Sequence, residues 1–208
     1  MRGLTLIEVL VLLVVIVILS SLIDFGVPAK AKSKAQRANC QNNLKQLGLA
    51  FRDWDGGHGD NYPMSGPMSQ RGSQEAAAGT NLFRHFQVMS NELNNPKIII
   101  CPSDDRQPAS SFANLANTNL SYFLSLDADE TRPTMFLSGD RNLVTNGVAV
   151  KPGLAVIATN YSLGWSQKMH HLAGNIGLAD GSVQQANNQS LQTLLQNAGT
   201  NVIRLAVP

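Results

Sequence analysis

The sequence predicts an α+β fold in which a long, kinked N-terminal α-helix packs on a small antiparallel β-sheet. Helical spacing dominates the first quarter of the chain, and the remainder holds short strand-like runs separated by Gly, Pro, Asn and Asp. Helices and strands do not alternate as they do around parallel sheets, which favours an antiparallel sheet. With 208 residues, we expect one ordinary domain joined to the N-terminal helix.

The first part of this helix is an apolar segment. Leu4–Ile23 contains one acidic residue, Glu8, among mainly aliphatic residues. Twenty helical residues rise about 30 Å, the thickness of a bilayer's hydrocarbon core. Gly26 and Pro28 then favour a kink. We therefore expect residues 4–28 to form a transmembrane helix.

Three interpretations of this segment compete. A cleaved signal peptide would use Arg2 as its basic flank and Ala29-Lys30-Ala31 as its cleavage site, but the apolar run exceeds the usual h-region. A plain membrane anchor explains the length but not Glu8, because a carboxylate at the centre of a spanning helix costs roughly 2.5–3.5 kcal/mol. The third interpretation gives Glu8 a partner in an assembly.

Residues 3–8, Gly-Leu-Thr-Leu-Ile-Glu, resemble the prepilin processing site of type IV pilin-like proteins. The resemblance implies that a prepilin peptidase removes a leader, residues 1–3, by cutting between Gly3 and Leu4. It also implies methylation of the new N-terminus. By the same resemblance, residues 4–28 would form the core helix of a filament, in which Glu8 pairs with the amine of Leu4 on a neighbouring subunit. The low dielectric there strengthens a well-placed ion pair.

Beyond the interruption, residues 29–56 are expected to form an amphipathic stalk helix that ends at Asp55-Gly56-Gly57. Its apolar stripe follows helical spacing and should pack on the sheet; it comprises Cys40, Leu44, Leu47, Phe51 and Trp54. Six basic residues and no acid lie between Lys30 and Arg52. They indicate a solvated or headgroup-contacting face, or contact with acidic surfaces of other subunits. Nucleic acid is not expected, since interleaved aromatic residues are lacking.

Residues 57–208 are expected to form an exported globular head that opens with a long loop, residues 57–80. A short helix is predicted near Asn81–Phe86 and another at Ser190–Asn197. The predicted strands are Ile98–Cys101, Leu120–Leu126, Thr134–Ser138, Ala155–Ala158 and an edge strand, Asn201–Val207. Asp180-Gly181 predicts a type I′ hairpin between Asn175–Ala179 and Ser182–Gln185.

Patches through the head extend the resemblance to proteins similar to the major pseudopilin of type II secretion. They are Asn42–Phe51, Cys101-Pro102-Ser103-Asp104, Gly139-Asp140-Arg141-Asn142 and an H-x9-D-G element formed by His170, Asp180 and Gly181. We interpret the last as structural, with His170 bonded to the hairpin. His170 and His171 should point to opposite faces of a strand, and no hydrolase motif accompanies them, so no enzymatic activity is expected.

Two ligand questions remain open from the sequence. Cys40 and Cys101 either form a disulfide or stay as two buried thiols. Asp127, Asp129 and Glu130 form an acidic cluster, and similar pseudopilin heads can bind calcium. The spacing matches no EF-hand, so solvated turn residues are the alternative. No other cofactor is expected.

The functional expectation is a structural pseudopilin of a type II secretion or type IV pilus-like filament. It would be a single-pass inner-membrane protein with a periplasmic head. Its partners would be copies of itself, other pilin-like subunits, the prepilin peptidase, the inner-membrane assembly platform and the lipid bilayer. The alternatives are a minor tip pilin that binds DNA, a surface or a secreted substrate, and a membrane-anchored or secreted protein that does not assemble.

Overall fold

A computed structural model describes residues 5–23, 29–59, 61–77 and 81–208. The chain divides into two compact units, Met1–Ala35 and Gln36–Pro208. It is a mixed α+β protein with antiparallel sheets and an N-terminal helix, as the sequence predicts. The predicted kink at residues 24–28 and the predicted cleavage site at Gly3 and Leu4 lie outside the described residues.

The N-terminal helix, α1, comprises Leu6–Ile23. Its aliphatic side chains are exposed around the whole circumference, from Leu6 at 84% to Leu19 at 55%. At its start, the backbone N–H and the hydroxyl of Thr5 donate to Oε2 of Glu8 at 2.7 and 2.8 Å. Glu8 thus supplies the carboxylate half of a capping box.

The prediction of a single-pass inner-membrane protein with a periplasmic head is wrong. Within the ranges that the structure describes, we find no helix that combines the length and the apolarity of a membrane span.

The second helix, α2, comprises Ala29–Gly57 and ends where the Asp-Gly-Gly sequence predicts. All five residues of the predicted apolar stripe, Cys40, Leu44, Leu47, Phe51 and Trp54, are buried. They share one hydrophobic cluster with Tyr122 and Leu124 of the sheet. The predicted contact between this stripe and the sheet is therefore confirmed.

Six antiparallel strands form the main sheet in the order β5-β9-β1-β2-β7-β8. Their bounds are β1 Tyr122–Ser125, β2 Phe136–Asp140, β5 Gly153–Ala158, β7 Ala173–Leu178, β8 Val183–Asn187 and β9 Val202–Val207. Successive side chains of a strand point to opposite faces. Tyr122 and Leu124 accordingly join the cluster of α2, and Phe123 joins a second cluster with Leu191 and Leu195. These two leucines belong to α5, Asn188–Gln196.

A second, three-stranded sheet was not predicted. It has the order β4-β3-β6 and consists of β3 Leu143–Thr145, β4 Val148–Ala149 and β6 Leu163–Trp165. Strands of two or three residues are too short to show a period of two, so the sequence carries no clear signal for them. The remaining short helices are α3, Phe83–Gln87, and α4, Ser90–Leu93.

Two predicted strands need correction. Ile98–Cys101 is not a strand, since Pro96–Ile99 forms a 3-10 helix in which the Asn95 side chain accepts from the N–H of Lys97. An Asn N-cap followed by Pro is a helix-start signal that outweighs the β-branched run. The last strand, β9, is internal rather than an edge, because it pairs with both β5 and β1.

The predicted hairpin at Asp180-Gly181 is present, but its turn differs from the prediction. The N–H of Gly181 donates to the carbonyl of Leu178 at 3.0 Å. A type I′ turn needs positive φ at both central residues, and of Asp180 and Gly181 only the glycine has one, at +80°. The geometry is that of a three-residue loop, a type I turn followed by a glycine bulge.

Candidate functional site: the buried cluster at the Cys40–Cys101 disulfide

The site is built around a disulfide between α2 and the segment after the Pro96 helix. Cys40 and Cys101 are fully buried, with Cα atoms 4.9 Å apart and an S–S bond of 2.03 Å. Cys40 reaches this position because it lies on the buried stripe of α2. The amide of Asn43, one turn further along α2, donates to the carbonyl of Ile100 at 2.8 Å. The disulfide thus holds the Cys101 segment against the helix.

His170 lies directly beside this disulfide. Its Nε2 is 3.3 Å from Sγ of Cys101 and 3.4 Å from Oδ2 of Asp140. The guanidinium of Arg37 donates to the carbonyl of His170 at 2.7 Å and so ties its backbone to α2. Burial, together with the charges of Arg37 and His171, lowers the pKa of His170 to about 4. The imidazole is therefore neutral at neutral pH.

The backbone around His170 is a tight turn and not the predicted strand. Met169, His171 and Leu172 all have positive φ, near +60°. This turn buries His170 and exposes His171. The prediction that the two rings point in opposite directions is right, but it holds for a turn.

Asp140, at the end of β2, is the acidic partner in the cluster. It is completely buried, and its Oδ2 accepts from the backbone N–H and the side-chain amide of Asn175 at 2.7 and 2.9 Å. Burial raises the pKa of Asp140 to about 7 against the effect of these two hydrogen bonds. Among the described residues, Oδ1 of Asp140 has no hydrogen-bond partner.

Asn142, two residues after Asp140, fixes the turn that carries His170. Its amide donates to the carbonyls of Lys168 and Ala173 at 3.0 and 3.3 Å, on either side of the turn. Asp140 and Asn142 therefore act from one short segment. Asp140 contacts the histidine ring, and Asn142 holds the backbone that positions it.

A largely buried ion pair joins two of the patches noted in the sequence, residues 101–104 and residues 139–142. Arg141 donates from Nε and Nη2 to the two carboxylate oxygens of Asp104 at 2.8 and 2.7 Å. The side chain of Asp104 is 1% exposed and that of Arg141 is 17% exposed. Burial by itself would raise the pKa of Asp104, but the hydrogen bonds from Arg141, with those from Asp105 and Ser121, hold it at about 2.

The two ends of the H-x9-D-G element contact α2 at different places. His170 precedes β7 and lies at the disulfide, whereas Asp180-Gly181 follows β7 and lies further along the helix. Arg52 of α2 donates to the carbonyl of Asp180. A side chain on Gly48 would meet Cα of Gly181 at 3.7 Å, so the turn passes close to α2. The interpretation that His170 is bonded to the hairpin is therefore wrong.

The predicted calcium cluster is partly engaged in protein contacts. Asp127 accepts from the backbone and guanidinium of Arg204, with the closest contact at 2.5 Å. Asp129 accepts from the N–H and hydroxyl of Thr131, both at 2.8 Å. Calcium binding by Asp127, Asp129 and Glu130 stays a prediction.

Ser73, in loop 57–80, is the hydrogen-bond partner of a second buried histidine, His85 of α3. The Ser73 hydroxyl lies 2.7 Å from Nδ1 of His85, and both side chains are fully buried. A serine and a histidine at this distance could form a nucleophile and its base. In this structure, however, burial keeps any substrate from Ser73, so the pair is part of the core.

His85 gives the protein a pH-dependent stability. Burial lowers its pKa to about 4, from 6.5 for the unperturbed group. As the pH falls, His85 is therefore protonated in the unfolded state at a higher pH than in the folded state. The contribution of neutral His85 to stability is present above pH 6.5 and is lost as the pH falls toward 4. By linkage, we expect about 2 kcal/mol to be lost between pH 7 and 4.5. Chemical unfolding at the two pH values, compared with His85→Gln, measures this term; parallel pH dependence of the two proteins would contradict it.

The sequence identified part of the cluster. Cys40, Cys101 and His170 were singled out, and Asp140 and Asn142 lay within one noted patch, but Asn175 and Arg37 carried no separate signal. Comparison with models of protein families, with curated proteins and with solved structures finds no match to the chain.

Proposed function

We propose that this chain is a pilin-like structural subunit, in which α1 packs against α1 of other copies to form the core of a filament. The observation that carries the proposal is the exposure of aliphatic side chains on every face of α1. A helix that is apolar all round is stable in water only when it is covered on all sides. Several neighbouring helices are needed for that.

The surface of α1 offers a groove into which an identical helix fits. Two parallel rows of side chains spaced four residues apart flank it; they are Ile7, Val11 and Val15, and Glu8, Leu12 and Ile16. Rows with this spacing on one helix insert between the corresponding rows of another. A second copy of the chain supplies such rows by identity, so it is the occupant to which we commit.

Glu8 lies at one end of this groove and is its single charged lining residue. Its carboxylate already accepts from the N–H of Thr5, the second residue after the proposed cleavage point. Processing after Gly3 would place a positively charged amine on Leu4. The amine of a neighbouring subunit could then pair with Glu8 in an apolar surrounding, where an unpaired carboxylate is costly.

The head supports the pilin-like interpretation by its architecture. The described part of α2 from Gln36 onward packs on an antiparallel sheet. The Cys40–Cys101 disulfide and the contacts of α2 with the H-x9-D-G element also tie this helix to the rest of the head. A head attached so firmly to its helix could transmit force along a filament. The subunit would therefore act through assembly, with other copies and a prepilin peptidase as its partners.

Placing a charge in the groove of α1 tests the proposal. An unpaired carboxylate in an apolar contact costs several kcal/mol, and about 3 kcal/mol is roughly 100-fold in association. We expect Val11→Asp to abolish the sedimenting filaments that the full wild-type chain forms when it is diluted out of detergent. Analytical ultracentrifugation and negative-stain electron microscopy measure the assembled fraction.

Val148→Asp is the matched control, since Val148 is 65% exposed in the head and Val11 is 55% exposed in α1. This variant should assemble normally. A wild-type chain that stays monomeric, or two variants that assemble equally, would contradict the proposal. Filaments formed by the chain alone also separate a repeating subunit from a tip subunit, because a tip subunit cannot repeat.

A further inference from the structure

The disulfide cluster holds the donor set of a transition-metal site. Sγ of Cys40, Sγ of Cys101 and one ring nitrogen of His170 lie within 4.8 Å of one another, and all three residues are buried. Nε2 of His170 also faces Oδ2 of Asp140 at 3.4 Å. Two sulfurs, one imidazole nitrogen and one carboxylate oxygen thus converge from four separate segments of the chain.

We propose that reduction of the Cys40–Cys101 disulfide converts this cluster into a buried zinc(II) site, with Cys40, Cys101, His170 and Asp140 as ligands. Thiolate, imidazole and carboxylate are the three ligand types of zinc in proteins, and four ligands complete its tetrahedral geometry. Thiolate ligands select zinc over calcium or magnesium, which prefer oxygen. The oxidised protein would be cross-linked by a disulfide and the reduced protein by a metal.

The position of Asp140 makes it a direct ligand. A carboxylate that only orients a zinc-binding histidine bonds the ring nitrogen that faces away from the metal. Here Asp140 and Cys101 face the same nitrogen of His170, so a metal bound by that nitrogen would contact the carboxylate as well. Oδ1 of Asp140 is buried and has no hydrogen-bond partner among the described residues, so the carboxylate keeps an oxygen whose lone pairs are available to a metal.

The supporting residues already hold the site in place. The two N–H groups of Asn175 fix Oδ2 of Asp140, and Asn142 fixes the turn that carries His170. Arg37, bonded to the carbonyl of His170, places a positive charge near the two thiolates and the carboxylate. Once the S–S bond is broken, side-chain rotation must separate the sulfurs to about 3.8 Å, the spacing of two thiolates on tetrahedral zinc.

The redox step balances with a dithiol reductant. The reductant transfers two electrons to the disulfide and becomes a disulfide itself, the Cys40–Cys101 bond breaks, and each sulfur takes up a proton. Zinc(II) then displaces the two thiol protons, which pass to solvent. Disulfide and zinc cannot be present together, because both use the same sulfur atoms.

Metal titration of the full chain in its oxidised and reduced forms tests the inference. We expect the reduced protein to bind one equivalent of cobalt(II), with thiolate-to-cobalt charge transfer and the visible bands of a tetrahedral site, and to exchange it for zinc(II). The oxidised protein should show neither signal. Zinc affinity is measured by competition with a chromophoric chelator, and circular dichroism follows the fold in each sample.

Two adjacent histidines supply the matched variants. His170→Gln should weaken zinc binding at least about 100-fold, since it removes a direct ligand, whereas His171→Gln, on the exposed side of the turn, should bind as the wild type does. The inference is overturned if the reduced, folded protein takes up no cobalt, if both variants bind alike, or if the oxidised protein binds equally well. Should reduction unfold the head, zinc must restore its circular dichroism, and failure to do so also overturns the inference.

Discussion

Replacing both Cys40 and Cys101 with alanine is expected to lower the free energy of unfolding of the head by about 4 kcal/mol. The two cysteines are 61 residues apart in sequence. In the chain-entropy model, releasing a loop of that length returns about 4 kcal/mol of conformational freedom to the unfolded state. Alanine is preferred over serine, because a serine hydroxyl at position 101 could bond Nε2 of His170, which lies 3.3 Å from Sγ of Cys101, and so offset part of the loss.

Urea unfolding followed by circular dichroism measures the loss. The wild-type protein, reduced in the presence of a metal chelator, is the control. It keeps both sulfur atoms but not the cross-link, and so separates loop closure from the cavity left by the missing atoms. If the alanine variant and the reduced protein both stay within about 1 kcal/mol of the oxidised protein, the cross-link is not a main source of stability.

The sequence predicted the parts of this fold that depend on long, periodic patterns. The stripe from Cys40 to Trp54 repeats over four helical turns, and its burial followed directly from its spacing. The hairpin at Asp180-Gly181 was visible because few dipeptides tolerate such a turn. Even there, the dipeptide identified the hairpin and not its turn type, which depends on how the strands continue on either side.

The sequence did not predict two features correctly: one depends on a local helix cap and the other on contacts between residues that are far apart in the chain. Ile98, Ile99 and Ile100 read as a strand, yet Asn95-Pro96 begins a 3-10 helix, and of these isoleucines Ile99 is buried from within that helix. The internal position of β9 depends on its pairing with β5, and residues 159–201 separate the two strands. The order of the strands along the sequence does not predict such a pairing.

In the candidate site, too, some residues could be recognised from the sequence and others only from the folded structure. Residue type marked the cysteines and His170 as chemically interesting, but their meeting point depends on a turn with three positive-φ residues and on two asparagines that hold neighbouring atoms. Asparagine is common in loops, so Asn175 carries no signal until the strands are assembled, and Asn142 is marked only by the patch that contains it.

Replacing Arg141 with methionine is expected to cost about 3 kcal/mol of stability at pH 7. Methionine approximates the apolar stem of arginine but leaves the carboxylate of Asp104 buried without its main partner. Removing one member of a buried ion pair typically costs about 3–5 kcal/mol, and the part-exposed position of Arg141 argues for the lower end. Arg204→Met is the matched control, since the Arg204–Asp127 pair is 53% and 20% exposed and should contribute about 1 kcal/mol or less.

The stability difference between wild type and Arg141→Met should change with pH in a direction that a general packing defect would not produce. In the wild type the pKa of Asp104 is about 2, below its usual 3.8, so the stability from its charged form is present above pH 3.8 and is lost as the pH falls toward 2. Without Arg141, burial raises that pKa instead, and protonation relieves the unpaired charge as the pH falls. The stability difference between wild type and Arg141→Met should therefore be largest near pH 7 and shrink toward pH 4. A difference that stays constant over this range would mean that Arg141 acts through packing and not through the charge of Asp104.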